Sequence, residues 1–378
     1  MQPIRSTPGD PGRLYTDDMR RLLLSALLVA TAAHGQFQLQ TSNTTADLRG
    51  IHNVGNGVAW ASGTNGTVLR TEDGGFVWQS CSMPPGAEKL DFRGIQAFDA
   101  NTAIVMSSGK GDLSRLYKTT DGCHTWKLVF TNPDPEGFWD AILLNRFDQD
   151  GYLLGDPVKG SFRFWITDDK GITWHDNWEN SVRKRVPWKG LTAQPQEGAF
   201  AASNSALLVD ERYAIGFVTG GPAGGRLFLS NDDNDGSRFH VVQLPLTSGS
   251  PTTGAYSIES RDYDGVVAVG GDYLKPGERS RTAAYSKDGG EHWHPAGTPP
   301  HGYRSSVAYE EKTKTWITVG PNGTDISTDD GKNWRPVHPD VALHEVPDAD
   351  RNWNALSLPY AVGPHGRIGK LDEAALAK

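Results

Sequence analysis

Apolar residues along this chain occur in many short runs that are separated by turns rich in glycine. Among 378 residues there are 44 glycines and 12 tryptophans. The only long apolar run covers residues 22–33, and no later segment shows the spacing of an amphipathic helix. The pattern predicts an all-β chain in which tight turns join short strands and large aromatic side chains anchor them.

An eight-residue pattern recurs: Ser or Thr, any residue, Asp, any residue, Gly, two further residues, Trp. Five copies occupy residues 71–78, 119–126, 167–174, 286–293 and 327–334, and Cys123 replaces the glycine of the second. A degenerate copy runs from Ser230 through Asp232 to Phe239. Its aspartate can accept hydrogen bonds from turn amides, its glycine permits a positive φ, and its tryptophan can pack the hairpin.

The spacing of these copies predicts the architecture. Their first residues lie 41 to 63 residues apart, which is the length of a four-stranded propeller blade with its loops. Six copies imply at least six blades, and residues 355–358, 360–363 and 367–371 predict three strands of another. Pairing residues 37–41 with them would supply the missing strand and close a seven-bladed β-propeller over residues 36–378. A six-bladed ring with a C-terminal appendage is the alternative.

The repeats resemble the Asp-boxes of the BNR/Asp-box superfamily, which includes sialidases, sortilin-type receptors and the photosystem II stability/assembly factor family. The resemblance covers nearly all of the chain after residue 36, and the assembly-factor group is the most similar. It implies a propeller that binds a partner protein during the assembly of a membrane complex. The boxes themselves are structural and assign a fold rather than an activity.

The N-terminal segment predicts export. Arg20 and Arg21 precede the apolar run, and Ala33 and Gly35 supply the small residues that a signal peptidase reads. We therefore expect residues 1–35 to be an extension and signal peptide, with Met19 as the start and a periplasmic or secreted product. A buried apolar helix is the alternative. No later segment approaches the ~20 apolar residues that a transmembrane anchor needs.

Cys81 and Cys123 are the two cysteines of the chain. Cys123 lies in the turn of the second repeat, and Cys81 follows the equivalent turn of the first. Export would permit a disulfide between them. The sequence leaves the pairing open, because it cannot show that the two Cα atoms are close enough.

Charge and motif content exclude several partners. The net charge of −8 argues against nucleic acid, since phosphate binding needs a basic surface. The histidines are scattered without metal-ligand spacing, and neither a phosphate-binding loop nor a dinucleotide fingerprint is present. We expect a monomer without a cofactor or metal that binds a protein segment or a small anionic or carbohydrate ligand.

The candidate site comes from aligning the innermost strands of the blades. In each blade the same strand position holds a charged or polar residue. In blade order these residues are Arg49, Arg93, Asp140, Asn204, Ser257, Arg304 and Asn354. Arginines inside strands require a partner. The three arginines predict a site for an anion or carboxylate, because guanidinium groups bind planar oxyanions bidentately. The alternative is a wet channel whose arginines pair with Asp140 or with backbone carbonyls.

The loops between the second and third strands of two blades add candidates. Gly155 and Asp156 in blade three are matched by Gly271 and Asp272 in blade five, where Tyr273 follows. These loops also carry cationic residues, namely Lys159, Arg163, Arg226 and Lys275. Long loops often serve binding. Alternatively, the aspartates cap turns.

An enzymatic function is the second hypothesis. Sialidase-like hydrolases are known for an arginine triad, a Tyr–Glu nucleophile pair and an acidic proton donor. That resemblance would assign Tyr256 or Tyr303 with Glu259 or Glu197 as the pair, and Asp140 or Asp156 as the acid. The chain departs from the sialidase pattern, because Arg49-Gly50-Ile51 stands where Arg-Ile-Pro is expected. The sequence therefore favours a binding scaffold over a glycoside hydrolase.

Overall fold

The computed structural model describes residues 37–144, 149–176, 188–209, 214–230, 238–339, 346–372 and 376, all within the unit His34–Lys378. The predicted signal peptide and most of the degenerate repeat, residues 231–237, lie outside the described residues. Within these residues, one short 3-10 helix, Gly111–Leu113, accompanies the strands. No helix in the described ranges is long and apolar enough to cross a membrane.

Seven four-stranded antiparallel sheets form the blades of a propeller, as the repeat spacing predicted. Blades one to three consist of β2 (Leu48–Gly55), β3 (Val58–Gly63), β4 (Val68–Thr71) and β5 (Gln79–Ser80); β6 (Phe92–Ala97), β7 (Ala103–Ser107), β8 (Arg115–Thr119) and β9 (Lys127–Thr131); and β10 (Trp139–Leu144), β11 (Gly151–Val158), β12 (Ser161–Thr167) and β13 (His175–Asp176).

The remaining blades follow the same inner-to-outer order. They consist of β14 (Leu207–Val209), β15 (Ile215–Val218), β16 (Arg226–Ser230) and β17 (Phe239–Gln243); β18 (Thr253–Ser260), β19 (Val266–Asp272), β20 (Ala283–Ser286) and β21 (His294–Pro295); β22 (Ser306–Glu310), β23 (Thr315–Gly320), β24 (Gly323–Ser327) and β25 (Arg335–Val337); and β26 (Ala355–Ser357), β27 (Tyr360–Val362), β28 (Ile368–Leu371) and β1 (Phe37–Gln40).

The ring is closed by the pairing of its two chain ends. β1 lies antiparallel to β28, with Phe37 opposite Leu371 and Gln40 opposite Ile368. The N-terminal strand is therefore the outermost strand of blade seven, as predicted. This pairing covers a sheet edge that would otherwise be free.

The repeated turns close the hairpin between the third and fourth strands of five blades. In the first copy, the Thr71 hydroxyl donates to Asp73 at 2.8 Å and accepts the Gly75 amide at 3.0 Å, while Asp73 accepts the Val77 amide at 3.0 Å. The other four copies form equivalent bonds around Asp121, Asp169, Asp288 and Asp329.

Hydrophobic packing fills the spaces between neighbouring blades. Trp60 and Val68 of blade one meet Ile95 and Val105 of blade two in one buried cluster. Tryptophan is prominent throughout, and five of the largest fully buried side chains are Trp60, Trp139, Trp165, Trp316 and Trp353. The hydrophobic core therefore lies between neighbouring sheets.

A disulfide joins the first two blades. Cys81 and Cys123 are bonded, with their Cα atoms 5.3 Å apart, and 42 positions separate them in the sequence. Cys81 follows β5, the outer strand of blade one, and Cys123 lies in the turn after β8 of blade two. This settles the pairing that the sequence left open.

Candidate functional site

The innermost strands of four blades each contain one extra residue near their start. The register of the strand pairs shifts across Arg49, Arg93, Asp140 and Tyr256, in blades one, two, three and five. An unpaired residue of this kind is a β-bulge, which redirects a side chain out of the ladder. All four of these side chains line one axial cavity.

Blades six and seven have the same irregularity. The amides of Ser305 and Asn354 bond to Val319 and Val362, although the following residues, Ser306 and Ala355, are the ladder partners of those valines. Ser305 and Asn354 also line the cavity.

The sequence alignment was therefore wrong by one residue in two blades. The axial position of blade six is Ser305 rather than Arg304, and that of blade five is Tyr256 rather than Ser257. Neither displaced residue lines the cavity: Arg304 is paired with Asp325 inside blade six, and the Ser257 hydroxyl accepts that of Ser205 at 2.7 Å.

The axial cavity has a volume of about 610 Å³. It is lined by six residues that the sequence indicates as candidates for the site, namely Arg49, Arg93, Asp140, Asp156, Tyr273 and Tyr303. Their ligand-binding role stays a prediction. The cavity has three chemically distinct walls: cationic, acidic and aromatic.

The cationic wall consists of Arg49 and Arg93, which share the carboxylate of Asp91. Arg93 Nε donates to Asp91 at 2.8 Å, and its Nη1 donates to the carbonyl of Ala201 at 3.1 Å. Arg49 Nε lies 3.7 Å from Asp91 and has no hydrogen-bond partner among the described residues. About 30% of each arginine side chain is exposed, so donors remain for a ligand.

The acidic wall consists of Asp140 and Asp156. Asp140 is 1% exposed, and neither of its carboxylate oxygens has a hydrogen-bond partner in the described part of the chain. Burial and the neighbouring charge of Asp156 raise the pKa of Asp140 well above its ordinary value. Asp156 accepts the Ala199 amide at 3.1 Å, and burial raises its pKa to about 6.

The aromatic wall is built around Tyr256. Its ring stacks in parallel on Phe200, with centroids 3.9 Å apart, and meets Tyr303 edge-on at 4.8 Å. Tyr273 lies edge-on at 6.4 Å and is 48% exposed at the cavity mouth. The Tyr256 hydroxyl donates to the Thr252 carbonyl at 2.7 Å, and burial raises its pKa.

Arg304 lies in the interior of blade six rather than in the cavity. It is fully buried and forms an ion pair with Asp325, with Nε 2.9 Å from Oδ2. Its Nη1 donates to Asn322 at 2.6 Å and to the Tyr303 carbonyl at 2.7 Å. The arrangement satisfies the guanidinium within the blade and separates it from the other two arginines.

Two further predicted residues make local contacts instead of lining the cavity. The Asn204 carboxamide accepts the Ile142 amide at 2.8 Å and donates to its carbonyl at 2.9 Å, so that it joins blades three and four. Asp272 accepts the Thr252 hydroxyl at 2.8 Å and the Leu274 amide at 3.0 Å. The contacts of Asp272 fit the turn-capping alternative.

The Tyr–Glu pairs proposed for a hydrolase are not assembled in the axial cavity. Glu197 is paired with Arg226 and accepts the Thr219 hydroxyl at 2.6 Å. Glu259 lines a separate cavity of about 280 Å³, and burial raises its pKa to about 7. Neither glutamate lines the axial cavity that holds Tyr256.

A rim groove of about 780 Å³ extends from the axial cavity across the loops of blades three and four. Both depressions are lined by Asp156, Ala199, Phe200 and Pro251. The cavity and the groove are therefore adjacent along this wall, and an elongated ligand could occupy both.

Sequence reasoning missed Asp91 and Phe200. Asp91 had a signal, because Asp47-Leu48-Arg49 and Asp91-Phe92-Arg93 repeat the same Asp-x-Arg pattern in two blades. Phe200 precedes the first strand of blade four and belongs to no repeat, so nothing in the sequence marked its stack on Tyr256. In the part of the chain that the structure describes, no group of three or more His, Cys, Asp and Glu residues could hold a metal ion.

Comparisons with known proteins show the fold. No family model matches the chain. No curated protein matches it either. Among solved structures, it is similar to YCF48 bound to D1 peptide, with a TM-score of 0.61, and to YCF48 from Cyanidioschyzon merolae, with a TM-score of 0.58. Both are 15% identical to it; the matches cover 90% of this chain and 96% and 99% of those chains, respectively.

Proposed function

We propose that this chain is an exported binding scaffold, similar in role to a photosystem II assembly factor, that holds a segment of a partner protein on its axial face. The observation that carries the proposal is the axial cavity, where two partly exposed arginines face an aromatic wall. Such a surface suits a peptide that presents a carboxylate together with apolar or aromatic groups.

The arginines give the site its preference for an anion. Both side chains are partly exposed, and Arg93 is positioned by Asp91 and the Ala201 carbonyl. A guanidinium group held in this way loses little conformational freedom when it binds a carboxylate. Asp91 neutralises part of the charge while the site is empty, and a ligand carboxylate would compete with it.

The adjoining rim groove favours an extended ligand over a compact one. Together the two depressions run from the axis to the loops of blades three and four. Tyr273, which lines the axial cavity and is 48% exposed, offers apolar surface to a bound chain. The similar structure of YCF48 contains a D1 peptide. A peptide from a subunit of a membrane complex is thus the partner we propose.

Export is supported by two independent features. Residues 19–35 have the basic, apolar and small-residue pattern of a signal peptide. The Cys81–Cys123 disulfide is typical of an oxidising compartment. Cell fractionation followed by N-terminal sequencing tests this part: a periplasmic or secreted protein that begins at Gln36 is expected, and an intact cytosolic chain would contradict it.

Peptide binding can be tested without knowing the partner. A random peptide library with free carboxyl termini is selected on immobilised wild-type protein and on the Arg93→Gln variant. Wild-type protein should enrich peptides that the variant does not retain. Equal enrichment on both proteins would contradict a role for the axial arginines, and no enrichment on wild-type protein would contradict peptide binding.

A further inference from the structure

The acidic wall of the axial cavity lacks a counter-ion in contact with it. Asp140 is 1% exposed, it lines the cavity, and neither carboxylate oxygen has a hydrogen-bond partner in the described ranges. A buried polar group without a partner costs free energy. In native proteins such a group calls for a specific explanation, and a bound ion is one of them.

The neighbouring charged groups do not supply that partner. Asp156 adds a second negative group to the same wall, and its carboxylate accepts the Ala199 amide at 3.1 Å. Arg93 acts on Asp140 through its charge, but its guanidinium donates to Asp91 and to the Ala201 carbonyl. The other charged residue of the cavity, Arg49, faces Asp91.

We infer that Asp140 and Asp156 form a subsite for a primary alkylammonium group, such as a lysine side chain of the peptide held by the proposed site. This inference rests on the proposed function for the identity of the ligand. A compact ammonium group directs three donors to different acceptors and can contact two carboxylates at once, whereas a planar guanidinium matches one carboxylate bidentately.

The position of the subsite suits a side chain that enters from the rim groove. Asp156 and Ala199 line both the groove and the cavity, together with the aromatic ring of Phe200. The hydrocarbon stem of a lysine can lie along such apolar surface while its ammonium reaches the carboxylates. A peptide backbone in the groove would therefore place the charge in the axial cavity.

A divalent cation fits the same wall less well. Calcium takes six to eight oxygen ligands, and this wall offers two carboxylates. Within the described ranges, no group of three or more potential metal-ligating side chains of His, Cys, Asp or Glu is found. An ammonium ion needs fewer acceptors than calcium does, and the two carboxylates can supply them.

The subsite should respond to pH in a defined direction. Binding of a cation requires the carboxylates to be ionised. Burial raises the pKa of both, that of Asp156 to about 6, and the charge of Asp156 raises that of Asp140 further. Affinity for an alkylammonium should therefore fall by at least about tenfold when the pH drops from about 7.5 to about 5. An anion bound by a protonated aspartate would show the opposite dependence.

The test uses n-butylammonium as a probe of the lysine side chain, with binding to the full chain followed by protein NMR shifts. We expect binding to weaken by at least about tenfold in Asp156→Asn and in Asp140→Asn, both nearly isosteric. The Asp112→Asn variant changes an exposed carboxylate and should leave binding unchanged. Thermal unfolding checks that each variant is folded. If one aspartate variant does not fold, the binding measurement on the other decides the test.

Three results would overturn the inference: no butylammonium binding, equal binding in the folded aspartate variants, or tighter binding of calcium or n-butylguanidinium than of butylammonium. The Arg93→Gln variant separates this inference from the proposed function. It should lose peptides that carry a carboxylate while it still binds butylammonium, because the two aspartates hold the ammonium group. Peptide binding without amine binding contradicts the subsite alone, and amine binding without peptide binding contradicts the proposed function alone.

Discussion

Arg304 and Asp325 form a completely buried ion pair within blade six, with Nε 2.9 Å from the carboxylate. The pair is part of the blade interior, whereas Arg49 and Arg93 face the axial cavity. Arginine substitutions should therefore have two separate effects: loss of stability in blade six and loss of ligand binding at the axis.

The first prediction concerns the stability of blade six. Arg304→Ala should lower the free energy of unfolding by about 3–5 kcal/mol, because it leaves Asp325 buried without its counter-ion. Chemical denaturation measures this loss. Lys110→Ala is the control, since Lys110 and Glu136 form an exposed pair worth less than about 1 kcal/mol. Equal stability of the two variants would show that the buried pair is dispensable.

The second prediction concerns the disulfide. Removing the bond that closes the segment between Cys81 and Cys123 should lower stability by about 4 kcal/mol, because the unfolded chain gains freedom. Cys123 has a φ of 64°, at the position where the other clean repeats have glycine. The double variant Cys81→Ser/Cys123→Gly should therefore be more stable than Cys81→Ser/Cys123→Ser by about 1 kcal/mol. The reverse order in thermal unfolding would contradict this account of the turn.

The third prediction concerns pH. The pKa of Asp156 is raised to about 6 in the folded chain by burial, so its protonated form is favoured by folding. Its contribution to stability is complete below the pKa of the unfolded chain and is lost as the pH rises through about 6. Asp156→Asn should reduce the decline in stability between about pH 4 and about pH 7 by on the order of 2 kcal/mol. Denaturation curves across that range measure the difference, and identical slopes would contradict it.

The fold was predictable because five turn motifs carry their own hydrogen bonds. The Thr71–Asp73 arrangement recurs in other blades, and a local structure of this kind can be read directly from the sequence. The closing strand could be predicted as well. The C-terminal segment predicts only three strands of the last blade, and residues 37–41 precede blade one and could supply the fourth.

The site was predictable only where the local sequence fixes the register. A glycine follows both Arg49 and Arg93, and the two matching segments place these residues at equivalent bulges. Ser305 and Ser306 follow Arg304 without such a marker, and a one-residue slip moved the assignment from Ser305 to Arg304. Contacts between distant segments, such as Phe200 on Tyr256, depend on tertiary packing that no local pattern encodes.

The central claim is that the axial cavity binds a partner peptide through its arginines. The most direct measurement is isothermal titration calorimetry of a library-selected carboxylate peptide with wild-type protein, Arg93→Gln and Ala202→Trp, which places a large ring in the cavity. The account predicts affinity about ten- to a hundredfold weaker in Arg93→Gln and no binding in Ala202→Trp, with both variants folded. Unchanged affinity in both folded variants would contradict it.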